Sequence, residues 1–295
     1  MEVVKTVQEI VNTSQQWAKH GDVGFVPTMG YLHEGHLSLV RRARKENYRL
    51  VASIFVNPTQ FGPQEDLERY PRDLPRDLQL LEAEGVDSVF VPPADQIYPP
   101  GFVTYVEPTG LLTTVCEGAH RPGHFRGVAT VVLKLFELVR PCRAYFGQKD
   151  AQQVAVISRM VADLNLPVQL IIMPTVREPD GLAMSSRNSY LDPPTRATAT
   201  ALYRALQAGR QVFDAHPQGK PQLVERAMID VIEAEPGISL DYAQVRDPGS
   251  FAPLETLRAP ALLVIAAHIG QVRLIDNFLL RADGSWDVGI ATSER

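Results

Sequence analysis

Two hydrophobic rhythms run through the first half of the chain. Strand-like, mostly apolar runs occur at 24–28, 50–56, 88–91, 143–146 and 168–174. Between them, apolar positions recur three and four residues apart over 37–47, 74–84, 129–139 and 151–164, which predicts helices. Strands that alternate with helices predict an α/β fold, a Rossmann-like parallel sheet with helices on both faces. Such strands are buried on both sides and read as continuous apolar runs, as Val23-Gly24-Phe25-Val26-Pro27-Thr28 does.

The rhythm changes near residue 175. The segment Thr175-Val176-Arg177-Glu178-Pro179-Asp180-Gly181 is rich in turn formers. Beyond it, 195–215 and 222–235 read as helices, and 240–246, 261–267 and 272–277 as strands. The last two strands suit a hairpin across His268-Ile269-Gly270-Gln271. The expectation is a Rossmann-like ligand-binding domain over 1–175, a smaller α+β C-terminal domain over 176–283, and a loose tail over 284–295.

Composition narrows the function class. At 295 residues the chain exceeds one typical domain, so two domains are the default. A net charge of −5 argues against general nucleic-acid binding. The basic run Arg41-Arg42-Ala43-Arg44-Lys45 fits a solvated helix face better than a DNA patch. Cys116 and Cys142, the only two cysteines, form no disulfide framework, which suits a reducing, cytoplasmic setting. The N-terminus lacks the layout of a signal peptide, and the longest apolar stretch, 260–267, is too short to span a bilayer. No membrane association and no nucleic-acid partner are expected.

Ligands of parallel α/β sheets bind beyond the carboxyl ends of the strands. The polar clusters of this chain fall at those ends. His33-Glu34-Gly35-His36 stands where the first strand hands over to a helix N-terminus, a place that already favours anions. The dipole alone contributes about 0.3–1 kcal/mol, too little to hold a triphosphate, so added donors such as imidazoles are needed. Asn57-Pro58-Thr59-Gln60 follows the second strand; its neutral amides suit recognition of hydroxyls and a carboxylate better than proton transfer. Gly147-Gln148-Lys149-Asp150 brings an ammonium to a helix start. Met184-Ser185-Ser186-Arg187 offers two hydroxyls and a guanidinium, a phosphate clamp. Each has a plainer reading as a cap or solvated turn. Zinc is a rival for the histidines, since His120 and His124 join His33 and His36, but no Cys-x-x-Cys supports it, and no resident metal is expected. A P-loop and a Gly-x-Gly-x-x-Gly fingerprint are both lacking.

Taken together, Pro27-Thr28-Met29-Gly30-Tyr31-Leu32-His33-Glu34-Gly35-His36, Val56-Asn57-Pro58-Thr59-Gln60-Phe61, Arg121-Pro122-Gly123-His124-Phe125-Arg126-Gly127-Val128, Gly147-Gln148-Lys149-Asp150-Ala151-Gln152-Gln153 and Met184-Ser185-Ser186-Arg187-Asn188 make the chain resemble the pantoate–β-alanine ligase family. The similarity runs from near residue 1 to about 280, with the motifs in family order. Two of them also resemble the nucleotide signatures of the adenylate-forming nucleotidyltransferase superfamily. One departure is Gln148, where many relatives carry Glu.

The resemblance implies an ATP-dependent ligase that joins (R)-pantoate to β-alanine through a pantoyl-adenylate. It implies ATP as a substrate with Mg²⁺, no tightly bound organic cofactor, and a homodimer. By the same resemblance, His36 is the proton donor, His33 contacts the phosphates and Lys149 stabilises the α-phosphoryl charge. Ser185, Ser186 and Arg187 take the β/γ end. Met29, Gly30, Tyr31, Leu32, Glu34, Gly35, Gly147, Gln148, Asp150, Val176 and Met184 complete the ATP lining. Gln60 and Gln153 hold pantoate, with Asn57 in support. Asp77 reads as a surface charge of its helix, or else as a carboxylate behind the site. Residues 63–70, after Gln60, are a candidate gate. Two alternatives stand beside this reading: a nucleotidyltransferase moving AMP onto a phosphorylated acceptor, and a non-catalytic nucleotide-binding protein.

Overall fold

The computed structural model describes residues 1–292. The chain divides into two compact units, one of residues 1–147 with 156–173, the other of residues 148–155 with 174 onward.

The first unit is built on six parallel strands: β1 (Glu2–Val4), β2 (Val23–Thr28), β3 (Arg49–Ile54), β4 (Ser88–Phe90), β5 (Arg143–Gly147) and β6 (Gln169–Met173). Their order is β1-β4-β3-β2-β5-β6, every pairing parallel. The central strands β2 and β3 are the apolar runs expected from the sequence, and they are buried along nearly their whole length. Helices α1 (Val7–Trp17), α2 (Glu34–Glu46), α3 (Leu74–Ala83) and α7 (His124–Val139) cover the sheet, with α4 (Ala94–Ile97), α5 (Leu111–Thr114) and α6 (Glu117–His120) as single turns between α3 and α7. Helix α8 (Ala151–Asp163) begins in the second unit and ends in the first.

Successive strand residues face opposite sides, and the two cores follow from that. Val26, Leu50, Ala52 and Val89 pack with Leu39, Val40 and Ala43 of α2 and Leu81 of α3. On the other face Phe25 meets Phe136 of α7 edge to face, and Phe136 meets Phe146. Helix α2 carries Glu34 in its first turn and Arg44 and Lys45 in its last, each opposing the dipole end it meets. The basic run of α2 is paired: Arg41 with Glu34 and Glu84, Arg42 with Glu46, Arg44 with Asp87.

The second unit holds β7 (Val176–Arg177), β8 (Ile238–Arg246), β9 (Ala261–Ile269), β10 (Val272–Leu280), β11 (Trp286–Asp287) and β12 (Ile290–Ala291), with helices α9 (Pro193–Ala199), α10 (Ala201–Ala215) and α11 (Pro221–Glu233). An antiparallel sheet of order β11-β10-β9-β8 packs Leu263, Ile265 and Phe278 against Leu202, Leu206, Val224 and Met228 of α10 and α11. The expected β9–β10 hairpin forms, but its strands pair as far as Ile269 and Val272, so the turn shrinks to Gly270-Gln271. The expected helix over 195–215 is two helices broken at Thr200.

The tail expectation needs correction. Trp286 and Asp287 pair with β10, and Ile290 and Ala291 pair in parallel with β7. Backbone hydrogen bonding and packing of the half-buried Trp286 ring against Phe213, with centroids 5.4 Å apart, outweigh the polar composition of this stretch. Residues 293–295 of the expected tail lie outside the described residues. The strand-like and helical patterns read from the sequence do not include β1 and α1. A signal for α1 exists in Thr6-Val7-Gln8-Glu9, a capping box in which Thr6 accepts from the Glu9 N–H and Glu9 accepts from the Thr6 N–H.

Candidate active site

At the carboxyl end of β2 the chain must turn sharply to enter α2. The Thr28 hydroxyl donates to the Ser53 carbonyl at 2.7 Å and accepts from the Gly30 N–H at 3.1 Å, tying the turn to β3. Gly30 has φ +81°, and a Cβ there would lie 2.9 Å from Ile54 Cγ2 and 3.0 Å from an Asp77 carboxylate oxygen. Glycine meets both demands. Tyr31 follows at φ +51°, a left-handed conformation that a side chain rarely adopts. It is held there: the Tyr31 and Leu32 N–H groups each donate to one Asp77 oxygen at 2.7 Å, and Arg76 donates to the Leu32 carbonyl at 2.9 Å. Burial pushes the Asp77 carboxyl above its ordinary range, while the two amides oppose that shift.

Asp77 is therefore a buried clamp, 1% exposed, and not the surface charge favoured by the sequence. The helical pattern did contain the signal. Leu74, Leu78 and Leu81 mark the inner face of α3, and Asp77, three after Leu74 and four before Leu81, lies on it. A carboxylate on an apolar face needs donors, and the loop supplies them.

His33 and His36 cap α2 reciprocally. Nδ1 of His33 accepts from the Gly35 N–H at 3.1 Å, and Nδ1 of His36 accepts from the His33 N–H at 3.3 Å. The rings lie with centroids 4.0 Å apart. The imidazoles thus play the parts of Thr and Glu in an ordinary capping box. An accepting Nδ1 carries no proton, so in each neutral ring the proton is on Nε2, which becomes a donor. The capping reading and the donor reading of these histidines hold together. Glu34, one residue on, is neutralised by Arg41.

Asn57 and Gln60 frame the turn after β3. Asn57 is 1% exposed and wholly engaged. Its Oδ1 accepts from the Thr59 hydroxyl at 2.9 Å and the Tyr98 hydroxyl at 2.8 Å, while Nδ2 donates to Gln60 Oε1 at 3.0 Å and to the Gly127 carbonyl at 3.2 Å. Burial raises the Tyr98 hydroxyl to about 12, so it stays a donor. With Oε1 occupied, the Gln60 amide presents Nε2 as its donor edge, 3.4 Å from Met29 Sδ. Gln60 is thereby joined to the loop of the histidines. Glu65, in the candidate gate, is fixed by Arg121 at 2.6 Å.

In the second unit, Gln148, Lys149 and Asp150 form a 3-10 turn before α8, with Lys149 Nζ 3.7 Å from Asp150 Oδ1. Asn277 of β10 holds this turn: Nδ2 donates to the Gln148 carbonyl at 3.0 Å and the Lys149 carbonyl at 2.9 Å, and Oδ1 accepts from the Gln148 side chain at 3.2 Å. The Gln148 amide thus acts as a buried donor within the fold. Gln153 lies half-buried in the first turn of α8. Val176 is a buried strand residue whose carbonyl accepts from the Met184 N–H at 2.9 Å. Ser185 caps the 3-10 turn Ser186–Tyr190 by accepting from the Arg187 N–H at 3.3 Å, which leaves its O–H as a donor. The turns of Lys149 and of Ser186 both pack against β10.

His124 does not support a zinc site, because both ring nitrogens face protein groups, the Gln60 carbonyl and Arg121. Among the described residues, no group of three or more His, Cys, Asp or Glu is arranged to hold a metal ion.

A family model described as pantoate-beta-alanine ligase matches residues 2–279. The chain belongs to the pantoate–β-alanine ligase family. It is 58% identical over 282 residues to the pantothenate synthetase of Roseiflexus castenholzii, covering 96% of this chain and all of that one. The crystal structure of the Thermus thermophilus pantothenate synthetase superposes with a TM-score of 0.89 at 52% identity, covering 94% of this chain and 98% of that one. A Francisella tularensis pantoate-β-alanine ligase, complexed with beta-gamma ATP and β-alanine, gives 0.80 at 36% identity, covering 95% and 97%. The family, the fold class and the ligase activity expected from the motifs are borne out. The ligase joins pantoate to β-alanine to make pantothenate.

Proposed function

We propose that the ligase works in two steps through a pantoyl-adenylate, with the site residues in the roles given below. A carboxylate is a poor acyl donor until it carries a better leaving group. In the first step a carboxylate oxygen of (R)-pantoate attacks the α-phosphorus of ATP. The bond to the bridging oxygen breaks, and pyrophosphate leaves. In the second step the amine of β-alanine attacks the acyl carbon, loses a proton, and displaces AMP. No protein nucleophile is required, so neither Cys116 nor Cys142 takes part.

The attack builds negative charge on the phosphoryl oxygens, and prearranged donors and cations are the means of stabilising it. His36 is the proton donor and His33 the phosphate contact, each acting through Nε2. Lys149 takes the α-phosphoryl charge, and Ser185, Ser186 and Arg187 the β/γ end. ATP is lined by Met29 to His36, Gly147 to Asp150, Val176 and Met184 to Arg187. Gln60 and Gln153 hold pantoate, and Asn57 serves by fixing Gln60. The observation that carries this reading is the pair of Nδ1 caps, which commits both imidazoles to donating from Nε2. The ATP and β-alanine bound by the Francisella relative support the substrate assignment. Mg²⁺ would be held by the triphosphate and water, the usual manner for this ion.

The same reading includes a homodimer, no tightly bound organic cofactor and a cytoplasmic setting. Neither cysteine is in a disulfide, and no described helix is long and apolar enough to cross a membrane. A monomer in sedimentation equilibrium would remove the dimer.

The test is pyrophosphate release from ATP and pantoate, with and without β-alanine, with mass detection of products. Pantoate-dependent pyrophosphate, and AMP plus pantothenate only when β-alanine is present, is the expected result. Folded, ATP-binding protein that releases no pantoate-dependent pyrophosphate would overturn the two-step scheme.

A further inference from the structure

We propose that His124 is a positioning residue for pantoate, acting through the backbone of Gln60. The inference rests on the reading of Gln60 as a pantoate ligand. His124 opens α7 and is 7% exposed. Its Nε2 lies 3.2 Å from Arg121 Nη1, and a guanidinium only donates, so Nε2 accepts. The ring proton therefore sits on Nδ1, which donates to the Gln60 carbonyl at 2.9 Å. Arg121 is held in turn by Glu65, at 2.6 Å, and by Glu117, at 3.6 Å. Burial, aided by Arg121, lowers the imidazole to about 4, so the ring is neutral at physiological pH and its tautomer does not change.

Gln60 is thus pinned at both ends. Asn57 fixes the side-chain oxygen, and His124 at 2.9 Å, with Arg121 Nη2 as a longer second donor at 3.4 Å, fixes the main-chain oxygen. The turn also presses on α7 so closely that a Cβ on Gly127 would lie 2.4 Å from the Thr59 carbonyl oxygen. With the turn backed by α7 and capped by Asn57, the His124 donor sets the remaining rotation of the Gln60 peptide. That rotation aims Nε2. Small misplacements of a positioning group are costly in catalysis.

The experiment measures kcat and KM for pantoate and for ATP in His124→Phe, His124→Gln, His124→Asn, Gln60→Ala and the Gln60→Ala/His124→Phe double variant, with circular dichroism as the check on folding. Phe removes the Nδ1 donor. Gln can retain an acceptor for Arg121 but places no donor at the Nδ1 position. Asn places an N–H near it. Phe and Gln are expected to raise the pantoate KM about tenfold, the scale of one hydrogen bond. The ATP KM should stay within about twofold, and Asn should recover most of the loss. In the Gln60→Ala background, His124→Phe should add nothing to the pantoate KM.

An unchanged pantoate KM in folded Phe or Gln variants, with Gln60→Ala impaired, would overturn the role of His124 and leave that of Gln60 standing. Equal rises in both KM values, or full additivity in the double variant, would also overturn it, as would failure of Asn to recover activity. An unchanged pantoate KM in Gln60→Ala would overturn the reading of Gln60 and this proposal with it. If Phe does not fold, Gln and Asn carry the comparison.

Discussion

Asp77→Ala is the most telling single perturbation of the loop that precedes the histidines. The carboxylate receives two N–H groups at 2.7 Å, from consecutive residues of a turn in which Tyr31 has φ +51°. A hydrogen bond to a charged group contributes about 1.5–3 kcal/mol, and buried amides left without an acceptor add their own desolvation cost. Burial of the charge works the other way, as the upward shift of the carboxyl shows. Two bonds less that offset give a loss of about 3 kcal/mol for Ala. Asn keeps one acceptor and removes the buried charge, so it should lose about half as much. Urea unfolding measures the stability change, and calorimetric titration measures ATP affinity. Ala should lower the urea midpoint without changing the slope, and weaken ATP binding, because the loop hands directly to the His33 cap. A wild-type midpoint together with a wild-type ATP Kd in Asp77→Ala would refute the clamp.

Three further outcomes follow from the site and its supports. His36→Ala or Lys149→Ala should each lose at least ~10²-fold in kcat, the scale of one transition-state donor, and near-normal pyrophosphate release in either would remove that residue from its role. Arg177 and Asp276, each almost fully buried, meet through paired contacts of 2.6 and 2.9 Å, so Asp276→Asn should cost about 3–5 kcal/mol by stranding a guanidinium; an unchanged thermal midpoint would contradict this. Because the folded pKa of His124 is depressed, from 6.5 to about 4, its contribution to stability is complete above pH 6.5 and is lost as pH falls toward 4. At about 1.4 kcal/mol per pH unit that is roughly 3 kcal/mol, which His124→Phe should remove from the urea-derived pH profile. The groups facing the ring are Arg121, Glu65 and Glu117.

The parts of this protein that were legible in its sequence share a physical origin. Parallel strands buried on both faces leave unbroken apolar runs, and β2 and β3 stood out for that reason. The candidate site segments lie just past strand ends, where polarity resumes abruptly. The three-residue β1, two of whose residues are exposed, carries no such signature. The supports of the site were hidden for another reason. They act across long stretches of chain: Asp77 reaches Leu32 over 45 positions, His124 reaches Gln60 over 64, and Asn277 reaches Gln148 over 129. No periodicity encodes such pairings. Only Asp77 carries a local signal, its polarity on an apolar helix face, and even there the sequence favours a surface charge. Gln148 illustrates the same limit. From sequence it was a missing charge; in the fold it is a donor to Asn277, whose amide is oriented by the two carbonyls it also binds. Glutamate there would set a carboxylate oxygen against an oxygen.

The C-terminal stretch has a practical consequence. The family match ends at residue 279, and a protein chemist trimming the chain to that match would cut at Leu280 or Asp283. The strand Ile290–Ala291 lies along Val176 and Arg177, Ile290 donates to the Thr175 carbonyl at 2.8 Å, and the Val288 carbonyl accepts from Arg177 Nε. Gly289, at φ +88°, passes so near that a Cβ would lie 2.5 Å from the Thr175 oxygen. Trimming would uncover one side of a guanidinium that is otherwise sealed, beside the strand that carries Val176. The shortened protein should be easier for proteases to nick near residue 176, whereas a fusion partner joined after residue 292 leaves this seal in place.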